Sequence, residues 1–435
     1  MTVAAHTLGC KVNQCDTEAL LARLVGIGCT LRKFNQQADI YIINTCTVTH
    51  ASDKKSRQII RRAKKQNPSA KIAVCGCMMQ QKTETSEIEA DFIFDARKPD
   101  AFIKFLQSLC PEADHKPLIY TPTRTRAFIK VQDGCDRFCA YCIVPYVRGK
   151  PVSRPVHDIL TEARDHIANG VLEIVLTGIQ IASYADGANS LPELIKQTAA
   201  LTGLKRLRLS SLDPCAITDE FLQAAKESSH ILCDHFHLSL QSGSDNVLNR
   251  MNRRYTTAQY SHSVQKLRQI FPNAAITTDI IVGFPGETAE EFEQSFTFAK
   301  KIGFAAIHVF EYSRRDGTPA ATFAGQVTDK IKSDRSYRMR TRAARLEREF
   351  YQSQVGRTAS VLFESENSPG KWQGHTSNYC LAEIICNEDL TNIIRELQIT
   401  RHFAQDTEFP QSRLILEDSG QEASAYAPSP LPSPK

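Results

Sequence analysis

The stretch Cys135-Asp-Arg-Phe-Cys139-Ala-Tyr-Cys142 decides how the rest of the chain reads. It puts three cysteines on one short loop. A cubane iron–sulfur cluster is normally held by four thiolates, so three leave one iron open. A catalytic zinc site likewise keeps one position free for substrate. A zinc ribbon would need paired Cys-x2-Cys knuckles and a fourth ligand nearby, and none follows. The cysteine spacing therefore points to an open cluster.

Working outward, the loop comes just after an apolar strand at residues 127–131. Further strands are expected at 173–176, 206–209, 235–240, 275–282 and 306–310, with helices such as 155–169, 246–251, 257–269 and 287–301 between most of them. A repeated β/α unit predicts a full or partial (β/α) barrel over 125–351, with its chemistry at the C-terminal strand ends. Upstream, 39–44 and 70–75 read as short buried strands and 17–25 and 52–66 as helices. Residues 1–112 thus form a small parallel α/β unit, followed by a polar, proline-bearing linker at 113–124. Downstream, β-rich stretches at 358–364 and 378–385 flank turns around Gly370 and Gly374, which predicts a small antiparallel β-barrel over 354–418. The proline- and serine-rich end, 419–435, reads as a disordered tail. The fold class is α/β with a terminal β-barrel.

Composition narrows the class. With 42% apolar and 23% charged residues, extensive disorder is excluded. No apolar run approaches the roughly 20 residues of a membrane span. The N-terminus carries no secretory signal, so a cytoplasmic enzyme with no membrane partner is expected. Fourteen cysteines in such a chain point to metal or redox chemistry rather than disulfides. The net charge of +5 implies no polyanionic partner by itself, but the positive charge is bunched. Lys54, Lys55, Arg57, Arg61, Arg62, Lys64 and Lys65 share one window, and Lys330, Lys332, Arg335, Arg338, Arg340, Arg342, Arg345 and Arg348 another. Each reads as a helix with one basic face, either solvated or turned towards phosphates.

The cysteine loop, with Tyr141 as its aromatic, resembles the Cys-x3-Cys-x-aromatic-Cys loop of the radical S-adenosylmethionine (SAM) superfamily. The resemblance implies that Cys135, Cys139 and Cys142 hold a 4Fe-4S cluster whose open iron is chelated by SAM. Reductive cleavage would give methionine and a 5'-deoxyadenosyl radical that abstracts hydrogen from an unactivated carbon. The longer run to Ile-Val-Pro-Tyr-Val-Arg-Gly-Lys150 is similar to the methylthiotransferase family. So are Cys10 in Thr-Leu-Gly-Cys-Lys-Val-Asn, Cys46 in Asn-Thr-Cys-Thr-Val-Thr and Cys77 in Cys-Gly-Cys-Met-Met-Gln. By that resemblance these three hold a second 4Fe-4S cluster. Without it, three scattered cysteines fit a buried packing role as well as a ligand role. Cys15, at a helix start, and Cys75, at a strand end, read as packing residues. So do Cys29, Cys110, Cys215, Cys233, Cys380 and Cys386.

Three further segments resemble the family, one of which (278–287) simple turn chemistry would also explain, and a fourth (239–244) offers plausible SAM partners. Leu176-Thr-Gly-Ile-Gln-Ile-Ala-Ser-Tyr184 follows a strand; Gly178 permits close backbone approach and Gln180 can bond a ligand edge, although a plain turn would look the same. Ser239-Leu-Gln-Ser-Gly-Ser244 offers Gln241 and Ser242, with Arg250, Arg253 and Arg254 beyond. Thr278-Asp-Ile-Ile-Val-Gly-Phe-Pro-Gly-Glu287 offers Asp279, and Phe310-Glu-Tyr-Ser-Arg-Arg-Asp-Gly-Thr-Pro-Ala320 could line adenine or substrate. Tyr141, Gly178, Gln180, Gln241, Ser242 and Asp279 are the expected SAM-site residues. Val355-Gly-Arg-Thr and Gly374-His-Thr-Ser-Asn-Tyr379 resemble a TRAM domain, a small RNA-binding barrel, and the match fades after about Glu383.

Lys11 and Val12 resemble the subgroup that acts on N6-threonylcarbamoyladenosine in the tRNA anticodon loop. The implied product is its 2-methylthio derivative. One SAM would serve methyl transfer and another radical generation, with a reductant protein such as flavodoxin or ferredoxin and a sulfur donor as partners. The alternatives are isopentenyladenosine of tRNA or a ribosomal-protein aspartate as substrate, or a non-catalytic iron–sulfur redox sensor that binds RNA.

Overall fold

The structure, a computed structural model, describes residues 1–80, 88–109, 125–404 and 411–417. The expected linker, the expected tail and Cys110 lie outside the described residues. The N-terminal unit is an all-parallel sheet in the order β2-β1-β3-β4-β5: β1 Thr2–Thr7, β2 Thr30–Arg32, β3 Ile40–Thr45, β4 Lys71–Gly76 and β5 Phe92–Ile93. Helices α1 (Lys11–Gly26), α2 (His50–Gln66) and α3 (Asp100–Leu109) cover it. Every residue of β3 is buried. Ile40 and Ile42 face a core with Leu20, Leu24 and Phe102, while Tyr41 and Ile43 face another with Ile59 and Ile60. A parallel strand covered on both faces reads as a continuous apolar run, which is why β3 is plain in the sequence. Helix α1 starts at Lys11, well before residue 17, because Asn13 and Asp16 in its first turns are buried through polar bonds and break the apolar period.

Six parallel strands follow in chain order: β6 Arg126–Asp133, β8 Glu173–Gly178, β11 Arg206–Leu209, β12 His235–His237, β13 Ala275–Val282 and β14 Ala306–Glu311. A parallel bridge from Leu212 to Leu238 joins the two sheets they form. β6 and β14 do not pair, so the barrel is partial and open on that side. β7 (Val152–Ser153) adds an antiparallel edge to β6, and β9 (Ala185–Asp186) pairs with β10 (Asn189–Ser190). After the short α4 (Val144–Arg148) come α5 (Val156–Ala168), α6 (Leu191–Ala199), α7 (Asp219–Glu227), α8 (Asp245–Arg250), α9 (Thr257–Ile270) and α10 (Ala289–Ile302). Capping boxes at Thr256/Gln259 and Thr288/Glu291 start α9 and α10 where the sequence puts the polar residues. β12 stops at His237, short of the expected 240, because the Leu240 N–H donates to the Thr278 hydroxyl at 2.9 Å instead of continuing the backbone ladder.

Ile129 and Val131 of β6 pack with Ile159 and Ala163 of α5, so Arg126, Phe128 and Lys130 face the lumen. Helix α1 lies against β6 from that lumen side. Lys130 pairs with Asp16, the Cys15 thiol meets the Phe128 carbonyl at 3.5 Å, and Lys11 stands over the Phe128 ring.

The 26-residue α11 (Asp329–Gln354) leads into a closed barrel in the order β15-β16-β17-β19-β18: β15 Thr358–Ser368, β16 Lys371–Thr376, β17 Leu381–Ile385, β18 Ile394–Ala404, β19 Ser412–Glu417. Closure agrees with the expectation, except that β17 and β19 pair in parallel. This barrel caps the N-terminal end of the β/α barrel. There the buried Glu173 accepts from Arg208 Nε at 2.7 Å, with Arg126 and Arg206 beside it. The same arginines reach the cap: Arg126 bonds the Tyr379 hydroxyl at 3.0 Å, Arg206 the Ser360 carbonyl at 2.6 Å, and Arg208 the Ser377 carbonyl at 2.9 Å.

The two basic windows differ. On α2 the inward residues are Asp53, Ser56, Ile59, Ile60 and Ala63, and Lys54, Lys55, Arg61, Arg62 and Lys65 are exposed or half-exposed. On α11, Arg335 is buried against Glu287 at 2.6 Å, Arg338 pairs with Glu293, and Arg338 and Arg342 lie over Phe296. Part of the second window is internal cement, not a free basic face.

Candidate active site: two thiol triads and a polar lumen

Cys10, Cys46 and Cys77 follow the C-terminal ends of the adjacent strands β1, β3 and β4, where loops of a parallel sheet converge. Two glycines make the convergence possible. Gly9 has φ +97°, and a Cβ there would stand 2.9 Å from Cys46 Cβ. Gly76 has φ +94°, and a Cβ there would stand 2.3 Å from Asn44 Oδ1. Cys10 is the N-cap of α1, where the helix dipole favours negative charge. Burial pushes the Cys77 thiol up to about 11, the Arg148 guanidinium opposes this, and the Cys10 and Cys46 sulfurs add to it. Burial also raises Cys46, with Cys10 again contributing. The three sulfurs thus lie within each other's electrostatic reach. Cys15 and Cys75 are buried and raised by desolvation.

The second triad sits on the loop after β6. The Cys135 N–H donates to the Gly149 carbonyl at 3.0 Å and Cys142 N–H to the Cys139 carbonyl at 2.9 Å, so the loop closes on itself. Burial raises Cys142 to about 12, with Cys139 and Cys135 adding to the rise. Arg253 donates to Cys139 Sγ at 3.3 Å and to Asp213 at 3.2 Å. Arg250 instead pairs with Glu291 at 2.6 Å. Each triad brings three thiols into one another's electrostatic reach, and three is the ligand number that leaves one iron of a cubane open.

The triads are neighbours. Cys77 packs against Ile143 and Val147, the residues just after Cys142. Arg148 bonds both Asp133 oxygens on the second loop's strand and also Asn13 and Asp16 on α1. Arg315 ties the end of β14 to the Cys46 loop, donating to Asp53 at 2.5 Å and Thr47 at 2.6 Å. Arg148 and Arg315 stand inside quoted motifs, but no spacing signals that they bridge units.

The other expected residues divide. Tyr141 is half-buried beside Cys139 and Arg253. Gly178 ends β8, where a Cβ would meet the Gln132 carbonyl at 2.8 Å. The Gln180 N–H bonds Gln132 Oε1 at 2.8 Å, and its buried Nε2 has no hydrogen-bond partner among the described residues. Gln241 holds φ +69°, a backbone state that non-glycine residues rarely adopt, with its N–H on the Asp279 carbonyl. The Ser242 hydroxyl is engaged with Ser295 at 3.1 Å. Asp279 faces the lumen between His237 at 3.4 Å and His308 at 3.2 Å. Lys11, adjacent to Cys10, also enters this lumen.

Residues 129–299 match the Radical SAM superfamily, and residues 2–95 match Uncharacterized protein family UPF0004. The Threonylcarbamoyladenosine tRNA methylthiotransferase MtaB of Bacillus subtilis is 36% identical, covering 92% of this chain and 94% of its own. A tRNA-2-methylthio-N(6)-dimethylallyladenosine synthase of Clostridium tetani is 35% identical over the same shares. In fold, the chain is similar to the radical SAM methyltransferase TsrM of Kitasatospora setae, with TM-score 0.56 and 12% identity over 85% of this chain and 79% of that one. The chain is a transferase that uses SAM and 4Fe-4S clusters, and it belongs to the radical SAM methylthiotransferases that modify tRNA.

Proposed function

We propose that the enzyme converts N6-threonylcarbamoyladenosine in the tRNA anticodon loop to its 2-methylthio derivative. The observation that carries this reading is the adjacency of two thiol triads, with Cys77 packed on the residues that follow Cys142. A methylthio group needs both a sulfur source and removal of a hydrogen from an aromatic carbon. When bound, the clusters and SAM supply the sulfur, the methyl group and the radical. Cys135, Cys139 and Cys142 hold the radical-generating cluster, and Cys10, Cys46 and Cys77 the sulfur-bearing one. Arg253 steadies Cys139, while Tyr141, Gly178, Gln180 and Gln241 shape the SAM pocket above the barrel strands. The C-terminal barrel and α2 bind tRNA phosphates. One SAM is spent on methyl transfer and another on radical generation, with electrons from a flavodoxin- or ferredoxin-like protein and sulfur from a separate donor.

The test measures 5'-deoxyadenosine and modified nucleoside side by side in anaerobically reconstituted enzyme. Ala at Cys135, Cys139 or Cys142 should abolish both. Ala at Cys10, Cys46 or Cys77 should keep deoxyadenosine and lose the methylthio product, while C15A and C75A make it. Product on isopentenyladenosine alone would overturn the substrate assignment.

A further inference from the structure

The barrel lumen holds several cations, and most are answered. Arg126 and Arg208 pair with Glu173, and Lys130 pairs with Asp16 and Asp133. Lys11 is the exception. Its ammonium stands 5.7 Å from the centre of the Phe128 ring, and among the described residues no carboxylate forms an ion pair with it. Across the lumen, His308 is held through Nδ1 by Asp279 at 3.2 Å, while its side chain stays 62% exposed. With Nδ1 on Asp279, Nε2 donates when the ring is protonated, the state that the Asp279 carboxylate favours. The Lys11 charge acts on His308, so the two groups share one electrostatic neighbourhood. His237, Asp279 and His308 offer ligand atoms within 4.8 Å of one another, but a nearby ammonium opposes a divalent cation there. An ammonium with no ion-pair partner among the described residues, reached only at longer range by Glu173, and an imidazolium held by Asp279 favour an anion.

We propose that Lys11 and His308 clamp the carboxylate of the substrate's N6 side chain and so select a purine whose N6 group ends in a carboxylate over one that ends in an aliphatic chain. This rests on the threonylcarbamoyladenosine reading above. The chemistry of the base fits. C2, the carbon that receives sulfur, flanks N1, and an N6 carbamoyl substituent folds along the same N1 edge. Lys11 follows Cys10 in the chain, and its side chain runs from that loop into the lumen at Phe128. The dimethylallyl substituent has no charge to meet Lys11.

The experiment uses reconstituted full-length enzyme and three anticodon stem-loop RNAs that differ only at the target base: threonylcarbamoyl-, isopentenyl- or unmodified adenosine. Charge-assisted hydrogen bonds predict that wild type prefers the first by roughly ten- to hundredfold over adenosine. K11Q and H308Q should each lose about tenfold for the threonylcarbamoyl RNA and leave adenosine RNA unchanged, with K11R restoring most of the preference. Equal weakening on all RNAs, or full preference in K11Q and H308Q, overturns the clamp alone. If K11Q does not fold, H308Q, on a separate strand, decides. A wild type that neither prefers nor modifies the threonylcarbamoyl RNA overturns the substrate reading and the clamp with it.

Discussion

Arg148 Nη1 lies 2.8 Å and 2.9 Å from the two carboxylate oxygens of Asp133, closing the loop that carries Cys135, Cys139 and Cys142. Its other terminal nitrogen reaches Asn13 and Asp16 on α1, close behind Cys10 in the chain. Removing one partner from a buried charge network costs about 3–5 kcal/mol, because the remaining charges stay unpaired. R148A should lose about that much stability by urea denaturation and hold less iron at both sites. R148K keeps the charge but not the fork, and should fall between wild type and R148A.

The base of the barrel predicts an acid limit. Burial alone would raise Glu173, but Arg208, Arg126 and Arg206 more than reverse this and hold it at about 2, below its ordinary 4.5. A depressed carboxylate contributes stability above its unfolded pKa, and that contribution fades as pH falls from about 4.5 to about 2. A shift of this size is worth on the order of 3 kcal/mol. Thermal unfolding of wild type should therefore worsen more steeply over that window than that of E173Q, which starts less stable at neutral pH.

Arg315 should matter to one triad more than to the other. Its bonds to Thr47 and Asp53 hold the Cys46 loop against the barrel. R315A is expected to keep reductive SAM cleavage and lose most methylthio product, with nucleoside analysis as the readout. Equal loss of both activities would place Arg315 in general folding instead.

The two basic helices should respond differently to salt and mutation. Neutralising Lys54, Lys55, Arg61 and Arg62 should weaken tRNA binding and reduce the salt slope by about one for each phosphate left without its cation. R335Q should leave that slope unchanged and lower stability, since Glu287 would be left buried with the Gly283 N–H but without its charged partner.

What the sequence revealed follows from which physical signals are local. The barrel strands and β3 are readable because buried parallel strands are continuous apolar runs. The Cys135–Cys142 loop is readable because its ligands are close in the chain. The first turns of α1 are not, since their buried residues, Asn13 and Asp16, are polar and find their partners in another unit. The internal role of Arg335 is hidden for the same reason: charge on a helix looks alike whether it meets water or a buried glutamate. The parallel β17–β19 pairing depends on a chain reversal that no local motif records.

Helix α1 lines the lumen of the β/α barrel while carrying Cys10 at its start, so the N-terminal unit is a wall of the reaction chamber and not an appendage. Chimeras between relatives should respect this. Exchanging residues 1–109 moves Lys11 and one set of thiols together, and the graft takes only if Lys130, Arg148 and Arg315 of the recipient find matching partners. Under the proposed clamp, substrate preference and compatibility would be inherited as a single block.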